Sequence, residues 1–509
     1  MGQRTRIGLV TVAVYCGWGL GVATALQTTV GGRSLELTGK LEIRQVIRAD
    51  QDTPNELNLQ QLWLGVKYDL NDVARFQSVI SVLNGGPTTK STGGGIYDFS
   101  DVFQSLSPAV NVEEAYLDVN QQEFNLRLGF QKFAWGKLDR IQPTDVLNTR
   151  KYRDPFLPSE EELKRGVPAA QLNYYIPEGE WVPQEARLTF IWIPHYFPFE
   201  FGLPGERWFP PAAVPPSSIT ISPVPLPCVG TGCVIDPAIP ISFRVHNVAP
   251  QPFQLNNSGY AFRASGFSAG VDYAFYYYHG LDMQPAFDLT ATATAHRTPG
   301  SEVINVTADT VLSPVFKSID MWGADGAYSV GGFTFRGEGA FISGRPFPRN
   351  IRTLVATPQE LIAMNVGLLP QLCAGGGNLP VNLPSTFEVR DAFEWGLGAD
   401  YDLEGYFLLF QVNQTDIFNN DVRLLVPDID TRVLANIRKT FWHDDVQLQL
   451  IAIYAFESSY SVLLPRITYR IWEGLEAQVG YLNITGSVNS IIGQYKRNDE
   501  GFLLLRYLF

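Results

Sequence analysis

Long stretches of the chain repeat with a period of two. Leu35, Leu37, Leu41 and Ile43 alternate with Glu36, Thr38, Lys40, Glu42 and Arg44, and Leu62, Leu64, Val66, Tyr68 and Leu70 alternate with Trp63, Lys67 and Asp69. The pattern returns in Phe124, Leu126, Leu128 and Phe130, in Phe393, Trp395, Leu397, Ala399, Tyr401 and Leu403, and in Ile467, Tyr469 and Ile471. Such alternation gives a strand one apolar and one polar face. A soluble antiparallel sheet with one wet face satisfies it, and so does a transmembrane barrel with lipid outside and water inside. Length separates the two. The segments run roughly nine to thirteen residues, the span a tilted strand needs to cross about 30 Å of hydrocarbon, whereas soluble strands average about five or six. The polar faces, such as Glu394, Asp400, Asp402 and Glu404, are too charged for the core of a sandwich. Aromatic residues near segment ends, at Trp63, Tyr68, Tyr401, Tyr406, Tyr454, Tyr469 and Tyr507, are placed as interfacial girdles would be.

The expected fold is therefore all-β: a transmembrane antiparallel barrel of roughly 14 to 18 strands, about 16 preferred because such barrels use even numbers. The end of the chain fits. In "GFLLLRYLF" one face is Leu503, Leu505, Tyr507 and Phe509, wholly apolar, and the other mixes Phe502, Leu504, Arg506 and Leu508. A closed barrel has no edges, so this last strand should pair with the first, about Leu35 to Ile47, and Tyr507 and Phe509 are the candidate closure and assembly residues. A terminal Phe with Tyr two places before it resembles the C-terminal signature by which Gram-negative outer-membrane proteins are recognised for insertion.

Arg4 and Arg6 precede an apolar run from Ile7 to about Ala23, and Ala23-Thr24-Ala25 has the small residues a signal peptidase reads. Residues 1–25 are expected to be a secretory signal, leaving 26–509 as the barrel. Beyond the signal no apolar run of about 18 residues occurs, which excludes transmembrane helices. With 38 basic against 51 acidic residues the chain carries a net charge of −13, a poor match to nucleic acid. Cys228 and Cys233, in "CVGTGC", are close enough to bridge after export, and one pair cannot define a fold.

Two loops stand out. About 204–252 holds twelve of the 34 prolines, which cannot donate to a ladder, so it is expected outside the wall. About 344–390 contains "TPQELIAMNVGLL", where Thr357, Pro358 and Glu360 form a helix-start signal.

The densest chemistry lies in 132–168, "KFAWGKLDRIQPTDVLNTRKYRDPFLPSEEELKRGVP". Ser159 and Glu162 make a capping box, so a helical turn is expected there. Unpaired charges are costly in a wall or against lipid, so a mixed-charge segment between wall strands should fold inward. It could be a salt-bridged plug, or a selectivity constriction in which acids and bases face each other across the pore. The constriction candidates are Arg140, Asp145, Arg150, Arg153 and Asp154.

The motifs "WGKLDRIQPTDVLN", "RDPFLP", "RGVPAAQLNYY" and "NNSGYAFRASGFSAGVDYAFYYYHG", about a fifth of the chain, resemble a domain-of-unknown-function family of Gram-negative outer-membrane barrels. Thr149, after Asn148, stands where that family is expected to carry proline. The resemblance implies an outer-membrane location, contact with outer-membrane lipid and assembly machinery, and association with periplasmic lipid-carrier-like and inner-membrane RND-type export proteins. It also implies a part in moving hydrophobic molecules.

Catalysis is the competing class. "GFSAG", Gly266 to Gly270, matches a nucleophile-elbow pattern, but it joins two alternating runs, so Gly266 and Gly270 are expected as hairpin-turn glycines and Ser268 as a turn residue. The histidines, at 195, 246, 279, 296 and 443, show no ligand spacing, and no phosphate loop opens a helix, so no metal or cofactor is expected. The functional expectation is a channel or export conduit without covalent chemistry, and the second reading is a closed barrel that docks a partner.

Overall fold

The computed structural model describes residues 26–48, 56–85, 109–152, 154–195, 200–201, 207–221, 225–226, 233–246, 257–284, 286–297, 301–355, 364–368, 370–371, 378–420 and 422–509. The expected signal, residues 1–25, and the helix-start signal at Thr357 lie outside the described residues.

The wall begins with β1 (Arg33–Arg48), β2 (Glu56–Asp69), β3 (Ala74–Gly85), β4 (Ala109–Asn120), β5 (Phe124–Gln131) and β6 (Val167–Tyr175). It continues through β7 (Gln184–Ile193), β8 (Gly259–Ser268), β9 (Val271–Leu281), β10 (Ser318–Val330), β11 (Phe333–Pro348) and β12 (Phe387–Leu403). The last six are β13 (Tyr406–Ile417), β14 (Ile429–Phe441), β15 (Val446–Ala455), β16 (Tyr460–Trp472), β17 (Leu475–Gly486) and β18 (Glu500–Leu508). Each pairs antiparallel with the next and β18 pairs with β1, closing a barrel of 18 strands rather than the 16 preferred from sequence. Alternation alone overcounts, because the long hairpin Ala286–Arg297 and Val303–Val315 alternates equally well outside the wall, and discounting doubtful segments to an even 16 set aside two true wall strands.

The apolar positions face out. Leu397, Phe410, Phe275 and Leu503 are 61, 56, 59 and 56 % exposed on the outer surface. A skin of this kind is stable against hydrocarbon, not water. Trp63 is the exception among the girdle candidates: it lies on the lumen face, with the Lys40 ammonium 3.5 Å from its ring centre.

One end of the barrel carries short turns. Ala269–Gly270 and Gly331–Gly332 close two-residue hairpins in left-handed backbone, with φ of 51, 82, 56 and 85°. Gly270 is thus a turn glycine, while Gly266 lies within β8 and Ser268 is its last residue. Every long connection emerges at the opposite end. There the Ala286–Val315 hairpin, short strands between β7 and β8, and Asn378–Val381 build a mixed seven-stranded sheet outside the wall. Cys233 is buried in its core, and Cys228 lies outside the described residues.

The seam is made by the last residues. Lys40 to Arg48 of β1 pair with Leu508 to Glu500, the Phe509 N–H donates to the Gly39 carbonyl at 2.9 Å, and the Gly39 N–H donates back at 2.6 Å. The Phe509 ring lies across Gly39, in space a Cβ would fill. A short strand, Leu26–Val30, pairs with Arg33 to Leu37 and continues the same edge beyond Phe509.

Deleting Phe509, or replacing Tyr507 and Phe509 with Asp, should lower assembled protein and abolish heat-modifiable migration on gels. Each aromatic contributes about 1.5 to 3 kcal/mol of burial, and an acid on the hydrocarbon face adds a further cost. Unchanged migration of both variants would show that the seam does not depend on them.

Candidate functional site

Residues 132–166 join β5 to β6, a connection long enough to run over the rim, yet they fold into the lumen. The neck is tied by Asn148, whose side chain accepts from the Phe133 N–H at 2.7 Å and donates to the Arg165 carbonyl at 2.8 Å. Next to it Thr149 is fully buried, and its carbonyl accepts the Arg165 N–H at 2.8 Å. Phe133, Trp135, Val146 and Leu147 pack on the lumen face of the β6–β11 side, Trp135 against Tyr276 with ring centres 4.7 Å apart. Phe156 and Leu157 pack on the other side, against β1 and β15–β18. The segment therefore crosses the bore.

An irregular chain inside a barrel must find partners for its backbone, since no ladder supplies them. The Glu338 carboxylate on β11, 5 % exposed, accepts from the N–H groups of Lys137, Leu138 and Thr144 at 3.0, 3.3 and 2.7 Å and from the Thr144 hydroxyl at 2.8 Å. Gly136, at φ 86°, allows this approach, because a Cβ there would sit 2.6 Å from the carboxylate. Gln411 on β13 accepts from the Asp139 N–H at 2.9 Å and, with Asn413, donates to the Ile141 carbonyl at 3.1 and 3.2 Å. A Cβ at Gly396 of β12 would lie 2.6 Å from Leu138, so that strand also makes room.

The charges sort into four sets. Towards β4, Glu113 takes Lys132 at 3.0 Å and Lys151 at 2.6 Å; towards β9 and β10, Lys137 bridges Asp272 and Asp325 at 3.1 and 3.0 Å. Within the segment, Arg150 joins Asp145 at 2.9 Å and Glu160 at 2.6 Å, and Lys164 joins Asp145 at 2.8 Å. Towards β1, Asp154 meets Arg44 at 2.7 Å and Glu162 meets Lys40. Glu162 sits on the one-turn helix α1 (Glu160–Leu163), capped by Ser159 with both arms of the capping box formed. Burial alone would raise its carboxyl, but the Lys40 ammonium and the Ser159 N–H override that and hold it at about 2. Burial likewise opposes the charge on Arg150, and its acidic neighbours restore it, so the guanidinium is held above its usual value.

The structure thus brings Asp145 and Arg150 together as a clasp and sends Asp154 to the wall. Arg140 stands apart at the tip of the inward fold, in left-handed backbone at φ 56°, and makes no ion pair among the described residues. Beside it Asp139 takes a hydrogen bond from Asn436 at 3.3 Å; Asn436 accepts from Gln449 at 2.7 Å, and Gln449 from Arg466 at 2.7 Å. The tip and the β14–β16 wall are so connected by polar side chains. Arg153 lies outside the described residues. Sequence reasoning missed Glu338, Gln411, Asn413, Arg44 and Glu113, which look like ordinary lumen positions. The one available signal was glycine inside strands, as at Gly396.

Ser268, at the turn end of β8, and the His279–Asp320 pair, 2.9 Å apart between β9 and β10, do not form a triad. Val271 pairs with Ser268, and His279 lies eight residues further along β9, about 27 Å at ~3.4 Å per residue.

No family model matches the chain, and no curated protein matches it. Among solved structures it is similar in outline to Salmonella typhi OmpF in complex with daunomycin, at 10% identity over 95% of this chain and 100% of that one, with a TM-score of 0.40. It is similar also to Acinetobacter baumannii OccAB1, at 8% identity over 94% and 97% with a TM-score of 0.46. Pseudomonas aeruginosa OccK10 gives 9% identity over 93% and 98% with a TM-score of 0.44. Likeness this distant says nothing of what either chain carries.

Replacing Glu338 with Ala should leave buried N–H groups without an acceptor, at about 1 to 3 kcal/mol for each group left unpaired. The expected result is an assembled barrel, still heat-modifiable, in which residues 132–166 become open to protease; equal protease resistance would show that Glu338 does not hold the segment.

The Lys40–Glu162 contact has a definite pH signature. A carboxyl held at about 2, below its ordinary 4.5, contributes stability fully above 4.5 and loses it as pH falls towards 2. The difference in melting temperature between the native chain and Glu162→Gln should therefore be constant from neutral pH down to about 5 and vanish near 2. A difference that persists unchanged at pH 2 would assign it to packing.

Proposed function

We propose that this chain is an outer-membrane channel whose bore is narrowed by the segment 132–166. The observation that carries this reading is a closed barrel with an apolar skin and a segment seated inside it on fixed polar groups such as Glu338. A structural protein needs no such internal furniture, while a selective pore needs a rigid, charged constriction. Arg140 is the constriction residue of choice: it has no ion-pair partner among the described residues and lies at the tip of the inward fold. Asp145 and Arg150 hold the shape, as do Asp154 and Arg44.

The finer reading, movement of hydrophobic molecules with lipid-carrier-like and export partners, rests on the motif resemblance alone. A closed docking barrel is the second reading, favoured by one observation: aromatic and aliphatic side chains of the segment pack against opposite walls and so seal it in place.

Planar-bilayer recording separates the two. The channel reading expects discrete conductance steps in the native protein, and no steps under any salt would leave the docking barrel. Arg140→Gln should assemble normally and shift the reversal potential in a salt gradient towards cations, because the bore loses a cation that opposes its acids. Arg150→Gln should instead destabilise, since it leaves Asp145 and Glu160 each short of a partner, at up to about 3 to 5 kcal/mol for a fully buried pair. Identical behaviour of the two variants would remove the division of roles.

A further inference from the structure

Inside the barrel the lumen face changes character part-way along the strands beside the seam. Towards the loops it is aliphatic and buried, with Ile451 on β15, Leu464 on β16, Leu504 on β18 and Val46 on β1. Two residues nearer the turns, about 7 Å along each strand, stand Gln449, Arg466, Arg506 and Arg44. A water-filled bore has no use for an aliphatic belt, and a sealed one has no use for guanidinium groups beneath it.

One stretch of the chain's own backbone spans that boundary. The Asp154 carboxylate sits on Arg44 at 2.7 Å, and two residues on, Phe156 and Leu157 lie only partly buried on the belt, the Phe156 ring 5.3 Å from that of Trp208. Asp154 to Leu157 is in effect an acid with an apolar tail. Arg44 is itself 4 % exposed, is shared with Glu42 at 2.6 Å, and keeps a buried Nε without a hydrogen-bond partner. We propose that Asp154–Leu157 covers a binding site for an amphiphilic carboxylate, whose acid replaces the Asp154 carboxylate on Arg44 and whose hydrocarbon tail replaces Phe156 and Leu157. The exchange is conservative in charge and in buried apolar area, so a ligand of this class displaces the stretch while keeping a second acid on Arg44 and the belt covered; a neutral apolar molecule would leave Arg44 with Glu42 alone, and a small anion would leave the belt bare. The inference deepens the channel reading and depends on it only for the route by which ligand arrives.

The test is binding, read apart from conductance. The full protein in phosphatidylcholine nanodiscs is titrated with bromoundecanoate, whose bromine quenches nearby tryptophan. Above the non-saturating quenching of lipid-facing tryptophans such as Trp322 and Trp472, a saturable component is expected that Trp208→Phe removes, with bromoundecanol weaker by about tenfold or more and acetate unable to compete. Asp154→Asn and Phe156→Ala weaken the covering stretch and should tighten binding several-fold, whereas Arg44→Gln should loosen it about tenfold. Because Arg44→Gln can fail to assemble, the two tightening variants carry the decision: a purely structural stretch gives them lower stability and no gain in affinity. Equal quenching by acid and alcohol, or no gain in either variant, overturns the proposal. Binding without conductance steps keeps the site and removes the channel; conductance without binding does the reverse.

Discussion

A strand in hydrocarbon has no water to turn to, so every N–H and C=O of the wall must be met by a neighbouring strand. The contact on which the rest depends is therefore the seam, where β18 meets β1 and Phe509 exchanges two backbone bonds with Gly39. Closure leaves the wall with no unpaired edge. It also explains where the irregular chain went. Irregular chain, such as Pro210 and Pro211 between β7 and β8, is displaced to the loop end or into the lumen.

Within the lumen the same rule acts on a segment that has no ladder at all. Asn148 of the segment itself ties the neck, and the other donors and acceptors are met by side chains that project from the wall: Glu338 for three N–H groups, Gln411 and Asn413 for a carbonyl. These groups are themselves held by rigid strands, so the segment inherits their precision. The ion pairs add register rather than much net stability, because each buried pair gives back in desolvation much of what it gains in attraction. Their arrangement is directional: Lys132 and Lys137 lean on acids of one side, while Asp154 and Glu162 lean on bases of the other.

The barrel was legible because lipid-facing alternation is a local property that nine or ten residues display by themselves. Leu503, Leu505, Tyr507 and Phe509 announce a lipid face with no reference to the rest of the chain. Strand number was less legible, since the hairpin Ala286–Val315 alternates for a different reason, the packing of a second sheet. The site was legible only as a region. That 132–168 should fold inward follows from its charge, but which wall residues receive it does not, because Glu338 or Gln411 in a strand looks like any other water-facing position. Trp63 shows the same ambiguity in reverse: an aromatic near a strand end reads as a girdle residue, yet here it faces the lumen, covered by Lys40.

One signal does carry over from sequence to site. Where the lumen holds water, a wall strand is apolar on one face only; where it holds packed chain, both faces turn apolar. On β16 Val462 and Leu464 are buried inside while Leu463 faces out, and on β18 Phe502 and Leu504 are buried inside while Leu503 and Leu505 face out. The mixed inner face of "GFLLLRYLF" is thus a footprint: apolar where Phe156, Leu157 and Trp208 press on the wall, and charged at Arg506 where they do not. Strands β6 to β11 carry a matching footprint in Ile191, Ile193, Met321 and Ile342, beneath Trp135 and Leu147. In a barrel of this kind, loss of alternation near the loop end marks the places where apolar side chains of the chain itself press on the inner wall, and the return of charge below it marks where they do not.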